Sequence, residues 1–110
     1  MGGYNAIMLT ITLNIDDNTV YETVITHNAA LLFDDIGVYD ALYHSQGKQA
    51  GSIISILQLG INKLDAGKRK YTIQYMTGAD YNYQGIVAFL GDLLMSCQEY
   101  PESVIGVDTE

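Results

Sequence analysis

The chain has few of the residues that carry cross-links or positive charge. Its 110 residues include one cysteine, one proline, no tryptophan and only five lysines and arginines. A single cysteine cannot form an internal disulfide, so nothing here indicates an oxidising compartment. Cys97 falls on the apolar side of a helical pattern, which favours a small buried side chain over a reactive thiol. We therefore expect a reducing, cytoplasmic setting.

The shortage of positive charge leaves the protein strongly acidic. Thirteen aspartates and glutamates give a net charge of −8, and the pI is near 4.3. Such a surface repels the phosphate backbone, so direct binding of nucleic acid is disfavoured. An acidic surface attracts basic partners, and it also keeps a protein soluble. Composition alone does not separate these two roles.

The sequence also lacks a long apolar run. The strongest one, residues 85–95, is too short to cross a bilayer and contains Asp92. No basic region followed by an apolar region, typical of a secretory signal, is visible. Residues 1–3 begin like an N-myristoylation signal, but Ala6 stands where Ser or Thr is required. We expect neither acylation nor a membrane partner.

The remaining composition predicts one folded domain spanning residues 1–110. A hydrophobic content of 48% with 16% charged residues excludes a disordered chain. Residues 7–15 alternate between apolar and polar side chains, and β-branched residues resume over 19–25. The turn-forming Asp16-Asp17-Asn18 lies between them, so the pattern predicts an antiparallel β-hairpin.

Helical patterns follow the hairpin. Thr26-His27-Asn28 indicates the start of a helix, and this helix is predicted to end near Gly37. Residues 38–44 add another helical turn or two. Residues 49–65 return to helical spacing, with Gly67 as the stop. The predicted inward residues are Ala30, Leu31, Phe33, Ile36, Tyr39, Leu42 and Tyr43, then Ile53, Ile54, Ile56, Leu57, Ile61 and Leu64.

The last third of the chain predicts a buried helix and a strand. Apolar residues recur at helical spacing from Ile86 to Cys97, and Tyr100-Pro101 ends the helix because proline disfavours the α conformation before it. Residues 103–107 form a candidate strand, and residues 108–110 a polar tail. Residues 68–83 are predicted to be irregular, with an edge strand suggested by the alternation of Tyr71, Ile73 and Tyr75.

These elements predict an α+β fold with two layers. An antiparallel hairpin cannot shield its own apolar face, so helices must cover it. The C-terminal strand most simply joins the hairpin. The expected fold is therefore a β-hairpin plus a C-terminal strand, covered by three to four helices.

Several segments together resemble a family of small uncharacterised bacteriophage and prophage proteins. The resemblance covers nearly the whole chain. It rests on Thr26-His27-Asn28, on Gly-Val-Tyr-Asp-Ala-Leu-Tyr at 37–43, on Tyr83-Gln84-Gly85, and on Leu90, Cys97, Tyr100-Pro101 and Ile105-Gly106-Val107. That family carries Asn-Gly-Trp-Gly before its closing helix, whereas residues 78–81 here read Gly-Ala-Asp-Tyr. The resemblance implies an origin in a phage or mobile element and the cytoplasm of an infected bacterium. It transfers no activity and no functional residue.

Histidines and aspartates offer no convincing metal or catalytic motif. His27 and His44 are the general-base or ligand candidates, but no spacing typical of zinc ligands surrounds them. Asp16, Asp17 and Asn18 lack the glycine and glutamate that complete a calcium loop, and they fit a hairpin turn instead. We therefore expect no cofactor, no metal and no enzymatic activity, with a hydrolase using His27 or His44 as the weakest hypothesis.

The candidate binding residues are a basic triplet and the tyrosines that follow it. Lys68-Arg69-Lys70 could pair with phosphate while a tyrosine ring stacks on a base, and the same cations could simply offset a helix dipole. Tyrosine is enriched at protein interfaces, and it also packs in cores. The candidate site comprises Lys68, Arg69, Lys70, Tyr71, Tyr75, Tyr81, Tyr83 and His27.

Two functional hypotheses follow. The first is a non-enzymatic phage accessory protein whose acidic, tyrosine-rich surface binds and inhibits a host defence protein. The second is a small-molecule binder that sequesters a nucleotide signal. The expected partners are thus a host protein with a basic surface, a nucleotide in the second case, and another copy of the chain as a homo-oligomer.

Overall fold

A computed structural model describes residues 7–110, and it has an α+β architecture with one antiparallel sheet and helices packed on it. Residues 1–6, which include the N-terminal glycines considered for acylation, lie outside the described part. The predicted fold class is confirmed. Residues 7–110 contain five α-helices where three to four were expected, because segments predicted as single or irregular pieces divide into short helices.

The hairpin forms as the alternation predicts. Strand β1 is Met8–Ile15 and strand β2 is Asn18–Thr26. The two-residue turn between them places Asp16 at φ 49° and Asp17 at φ 69°. This left-handed conformation is one that aspartate tolerates, and it matches the twist of the strands.

A third strand completes the sheet. Strand β3, Val104–Thr109, pairs antiparallel with β1, so the strand order is β2-β1-β3. The prediction that residues 108–110 form a polar tail was wrong for Asp108 and Thr109. Both residues belong to β3, where they pair with Thr10 and Leu9 of β1. The outer edge of β3 is also covered, because Gly47 N–H donates to the Ile105 carbonyl at 2.8 Å and Ile105 N–H donates to the Lys48 carbonyl at 2.8 Å.

The helices follow in chain order. A 3-10 turn at His27–Ala29 leads into α1, Ala30–Asp35, and α2 is Tyr39–Tyr43. A second 3-10 turn at Ala50–Ile53 leads into α3, Ile54–Ala66, and α4 is Lys68–Tyr71. A π-helix follows at Thr72–Met76, and α5 is Tyr83–Glu99.

The core lies between the helices and one face of the sheet. From β1 and β3 come Leu9, Ile11, Leu13 and Ile105, all almost fully buried. The predicted face of α5, Ile86 to Cys97, is confirmed, with Val87 half-buried and Ile86, Phe89, Leu90, Leu93, Leu94 and Cys97 buried. The face predicted for α1 was wrong at one residue: Leu31 is 73% exposed, and its neighbour Leu32 is buried instead. In α3, Ile56 was also expected inward and is 39% exposed.

Residues 68–76 are helical, which corrects the prediction of an irregular segment with an edge strand. Helix α3 does end at Gly67, but the chain re-enters a helix at the next residue. A Cβ on Gly67 would lie 2.6 Å from the Tyr71 ring, so the glycine makes room for that buried ring. Tyr71 and Tyr75 then stack one helical turn apart, with ring centroids at 6.3 Å. A spacing of four residues places two side chains on one face of either a strand or a helix. In the folded protein the two rings pack as they do in a helix.

Truncating Leu90 should destabilise the fold strongly. Leu90 is fully buried in the centre of α5, so Leu90→Ala removes apolar contacts and leaves a cavity. We expect a loss of about 2–5 kcal/mol in the free energy of unfolding, measured by chemical denaturation. Met95→Ala on the same helix is the control, because Met95 is 67% exposed. Equal losses for the two variants would contradict this assignment of the core.

Candidate functional site

The Thr26-His27-Asn28 segment anchors the loop before α5. Thr26 Oγ1 accepts a hydrogen bond from the Asn28 backbone N–H at 3.2 Å, which is the predicted cap. Thr26 Oγ1 and Asn28 Nδ2 both donate to one oxygen of the Asp80 carboxylate, at 3.4 and 3.2 Å. Two segments more than 50 residues apart are thereby joined. The role of Thr26 and Asn28 is therefore structural.

His27 belongs to a row of four aromatic rings. Its Nδ1 lies 2.8 Å from the Tyr43 hydroxyl. Tyr43 stacks on Tyr39 with centroids 4.4 Å apart, and Tyr39 meets His44 edge-on at 5.6 Å. Burial, with a smaller contribution from Tyr39, raises the pKa of Tyr43 to about 12. The Tyr43 hydroxyl therefore keeps its proton at neutral pH. A shallow cavity of about 300 Å³ beside His27 is lined by Leu31 and Asp34 as well.

The basic triplet and its tyrosines come together as one cluster. Lys68 Nζ lies 4.8 Å from the centre of the Tyr83 ring, and Lys70 Nζ lies 5.1 Å from the centre of the Tyr71 ring. Lys68, Arg69 and Lys70 are all exposed. Tyr71 is only 2% exposed, so its ring faces are occupied by protein. His27 is held separately, by Tyr43.

The tyrosine hydroxyls in this cluster are tied to the protein. Tyr75 donates to the Asp35 carboxylate at 2.7 Å, and Tyr81 donates to the Tyr75 carbonyl at 3.1 Å. The hydrogen bond to Asp35, followed by burial, raises the pKa of Tyr75 to about 12. Burial also raises the pKa of Tyr81 and of Tyr83, whose hydroxyl lies 3.4 Å from Asp65 Oδ1. The Tyr75–Asp35 bond holds the π-helix against α1, the Tyr81–Tyr75 bond ties the loop before α5 to the π-helix, and the Tyr83–Asp65 contact joins α5 to α3.

A larger groove lies between α2 and the start of α3. Its volume is about 700 Å³. His44 lines it, with Nδ1 2.9 Å from the Asp40 Oδ1, and Lys48 lines it from the following loop. Ser45 also lines the groove, and its buried Oγ has no hydrogen-bond partner among residues 7–110. Of these residues, the sequence analysis names only His44 as a candidate. The Asp-x-x-x-His spacing, which fits one helical turn, is the signal that could have found Asp40; Ser45 and Lys48 have no such signal.

Among residues 7–110, no group of three or more His, Cys, Asp or Glu side chains converges in a way that could hold a metal ion. The two histidines make separate contacts, His27 with Tyr43 and His44 with Asp40. Cys97 is fully buried, and burial raises the pKa of its thiol to about 11. This thiol is therefore protonated at neutral pH and inaccessible to solvent.

Comparisons with protein-family models, curated proteins and solved structures give no match for this chain. None of the helices described here is long and apolar enough to cross a membrane. Any functional conclusion must therefore come from the arrangement of the residues themselves.

Tyr43 and Tyr75 should make the fold sensitive to alkali. Each has a pKa of about 12 in the fold against an ordinary 10.0, so folding favours the protonated hydroxyls. Their stabilising contribution is complete below pH 10 and is lost as the pH rises through about 12. The free energy of unfolding should fall across this window, and the fall should be smaller in the double variant Tyr43→Phe/Tyr75→Phe. An identical pH dependence in both proteins would show that these hydroxyls do not couple to folding.

Proposed function

We propose that the protein is a non-enzymatic accessory protein, of phage origin as its resemblance implies, that binds a basic surface of a host protein and inhibits it. A defence nuclease is a suitable target because its nucleic-acid channel is basic. The observation that carries this proposal is the segregation of charge in the fold. The charged residues of the sheet are all acidic, and they form no salt bridge with any side chain in residues 7–110.

All positive side chains lie outside the strands. The five lysines and arginines fall between residues 48 and 70, in the helical part of the chain. The strands and their turn carry four acidic residues and no lysine or arginine: Asp16, Asp17, Glu22 and Asp108. In the part of the chain that the structure describes, no Lys or Arg side chain lies within ion-pairing distance of a carboxylate, and His44 Nδ1 contacts Asp40 Oδ1 at 2.9 Å. The carboxylates of the sheet are therefore free to pair with an external cation.

The acidic residues of the strands lie on the face of the sheet that points away from the helices. We call this the outer face and define it by Thr10, Thr12, Asn14, Glu22, Val24 and Asp108. Glu22 is paired with Thr12 across β1 and β2, and Asp108 is paired with Thr10 across β1 and β3. Glu22, Val24 and Asp108 are exposed.

Hydrogen bonds make the outer face a pre-formed surface. Asn14 Nδ2 donates to Thr12 Oγ1 at 3.0 Å and to the Val104 carbonyl at 3.1 Å. Thr19 Oγ1 donates to Asn14 Oδ1 at 2.7 Å. These bonds order Thr12, Asn14 and Thr19, so that part of the surface loses little conformational entropy on binding. The exposed carboxylates of Glu22 and Asp108 beside it would speed the encounter with a cationic partner.

The tyrosines contribute less of this surface than their number suggests. None of the eight described tyrosines is fully exposed; Tyr71 is buried and the other seven are half-buried. The proposal therefore depends on carboxylates, with tyrosine ring edges as additional contact area.

Salt and charge reversal test the proposal together. Immobilised protein is incubated with lysate of a bacterial host, and captured proteins are identified after elution. Retention of the partner should fall steeply with added salt, because exposed charges are screened within about 8 Å at physiological ionic strength. Glu22→Lys/Asp108→Lys should weaken the complex by roughly tenfold or more.

The matched control is Asp92→Lys/Glu102→Lys, which makes the same change in net charge on exposed residues outside the strands. The control should weaken binding less than the outer-face variant does. A partner retained equally at low and high salt, or lost equally in both variants, would contradict a specific acidic surface.

The second candidate function is sequestration of a nucleotide by Lys68, Arg69 and Lys70. It is favoured by one observation: these adjacent cations are exposed and form no ion pair with any carboxylate between residues 7 and 110. The half-buried Tyr83 ring lies beside the cluster, with Lys68 Nζ 4.8 Å from its centre, while Tyr71 is buried and Tyr75 donates to Asp35.

Replacing all three cations by alanine should abolish retention of ATP in gel filtration, if the wild type retains it. Each charge-assisted hydrogen bond to phosphate contributes about 1.5–3 kcal/mol. The fold should be nearly unaffected, because exposed charges near helix ends contribute only about 0.3–1 kcal/mol each. A wild-type protein that retains no ATP, or a triple variant that still does, would exclude this cluster as the nucleotide site.

A further inference from the structure

We propose that the free edge of β2 binds an extended basic segment of the partner, which adds to the sheet as a fourth strand. Strand β2 lies at one end of the order β2-β1-β3, so only one side of its backbone is paired within the sheet. Recognition by strand addition takes its affinity from main-chain hydrogen bonds and its specificity from alternate side chains. The choice of a basic segment rests on the proposed function, whereas the geometry of the edge stands by itself.

The two edges of the sheet differ in their cover. Beside β3, the Val107 N–H donates to Gln46 Oε1 at 2.6 Å. Gln49 forms a β-bridge with Val104 on the same edge. Within the described chain, by contrast, no backbone hydrogen bond links residues 18–25 to any segment other than β1. Strand edges pair readily with other strands unless they are covered, so β2 keeps a pairing capacity that β3 has lost.

The backbone groups that point outward from β2 belong to Glu22 and Val24. Hydrogen-bonded and non-bonded pairs alternate along an antiparallel ladder. The His27 N–H donates to the Ile7 carbonyl at 2.9 Å, which marks that pair as a bonded one. The same bonding to β1 recurs at every second residue of β2, which are Ile25, Thr23 and Tyr21. The N–H and C=O of Glu22 and Val24 therefore face away from β1 and can pair with an added strand.

The charges along this edge select a basic segment. Glu22 is exposed, and its carboxylate forms no salt bridge with any side chain that the structure describes. Asp80 lies at one end of the edge, where its carboxylate accepts from the Thr26 hydroxyl at 3.4 Å, and the Asp16-Asp17 turn lies at the other end. Opposite charges on directly paired residues stabilise neighbouring strands. A lysine or arginine opposite Glu22 is therefore favoured.

The side chain of Val24 selects an apolar residue two positions from that cation. Val24 is 48% exposed and lies on the outer face beside Glu22. A β-branched residue opposite it would bury part of this apolar surface. Every strand pair in the sheet is antiparallel, so the favoured segment reads apolar-x-Lys/Arg from its N-terminal side.

The length of the edge also suits a short segment of another protein. The register shift in β1 beside Tyr21 and the burial of Thr26 limit the free edge to residues 21–25. At about 3.3 Å per residue, this is roughly 17 Å of strand. A second copy of the chain fits less well, because it would bring another Glu22 and another net charge of −8 against the first.

A synthetic peptide tests the edge. Its sequence is Lys-Thr-Val-Thr-Lys-Thr with both ends blocked, so that its valine lies opposite Val24 and its second lysine opposite Glu22. The peptide is titrated into the full-length protein, and amide hydrogen exchange is measured by NMR. In the free protein, the amides of Glu22 and Val24 should exchange faster than that of Thr23, because they face solvent. We expect a dissociation constant below about 1 mM, and about tenfold slower exchange at Glu22 and Val24 when the peptide is bound.

Two N-methylated peptides separate strand pairing from charge attraction. Methylating the backbone nitrogen of the second lysine removes the donor to the Glu22 carbonyl, so binding should weaken about tenfold or more. Methylating the threonine before it leaves composition and charge the same as in the first peptide. Because the N–H of this threonine points to solvent in the complex, binding should be nearly unchanged.

A pair of protein variants tests the charge contact. Glu22→Gln should weaken binding of the unmethylated peptide by about two- to fivefold, as expected for an exposed ion pair. Asp108→Asn removes one charge from the same face on β3, away from the edge, and should weaken binding less.

The possible failures are distinguishable. Equal binding of the two methylated peptides would overturn pairing at β2 and leave charge attraction to the outer face intact. Absence of binding, or slow exchange of Glu22 and Val24 in the free protein, would overturn the free edge itself. Equally tight binding of a peptide with both lysines replaced by glutamine would contradict the basic partner, and with it the proposed function.

Discussion

Strand β1 is the constraint on which the rest of the structure depends. It is the central strand, so its backbone is hydrogen-bonded to β2 on one side and to β3 on the other. One set of alternating side chains, Leu9, Ile11 and Leu13, is buried under the helices. The alternate set therefore has to point to the opposite side, because successive residues of a strand face opposite ways. A two-layer fold leaves that side uncovered, and this is how the outer face arises.

The charge distribution follows the same division between layers. Cations are confined to residues 48–70, where Lys63 Nζ donates to the Asp35 carbonyl and Lys68 lies over the Tyr83 ring. Hydrophobic burial fixes which faces are inside, and charge then distinguishes the two outer surfaces from each other. The outer face carries only negative charge, whereas the helical layer carries charges of both signs. Under the proposed function, a basic partner would be attracted to the sheet more than to the helices.

Elements determined by local chemistry could be predicted from the sequence. The alternation around Leu9–Leu13, the Asp16-Asp17 turn and the α5 face ending at Tyr100-Pro101 all depend on neighbouring residues. Residues 68–76 could not be predicted, since a spacing of four between Tyr71 and Tyr75 is compatible with both periods. The packing of the Tyr71 ring against Gly67 favours the helix, and this contact exists only in the folded protein.

The candidate sites likewise include some that neighbouring residues reveal in the sequence and others that form only on folding. Lys68, Arg69 and Lys70 are neighbours in the sequence, so their cluster is visible before folding. The contacts of Asp80 with Thr26 and Asn28 span more than 50 residues, and no local pattern announces them. The groove combines α2, a turn and a 3-10 segment, so only its Asp40–His44 pair has a sequence signal. Ser45 becomes noticeable only when its burial and its missing partner are known.

The most direct test of the central claim is to map where a cationic peptide binds. An oligolysine peptide is titrated into the protein at low salt, and backbone amide shifts are measured by NMR. The account predicts the largest shifts at Thr10, Thr12, Glu22 and Asp108, and their disappearance in high salt. Shifts concentrated instead on the helical layer, around Asp34, Asp92 and Glu102, would contradict it.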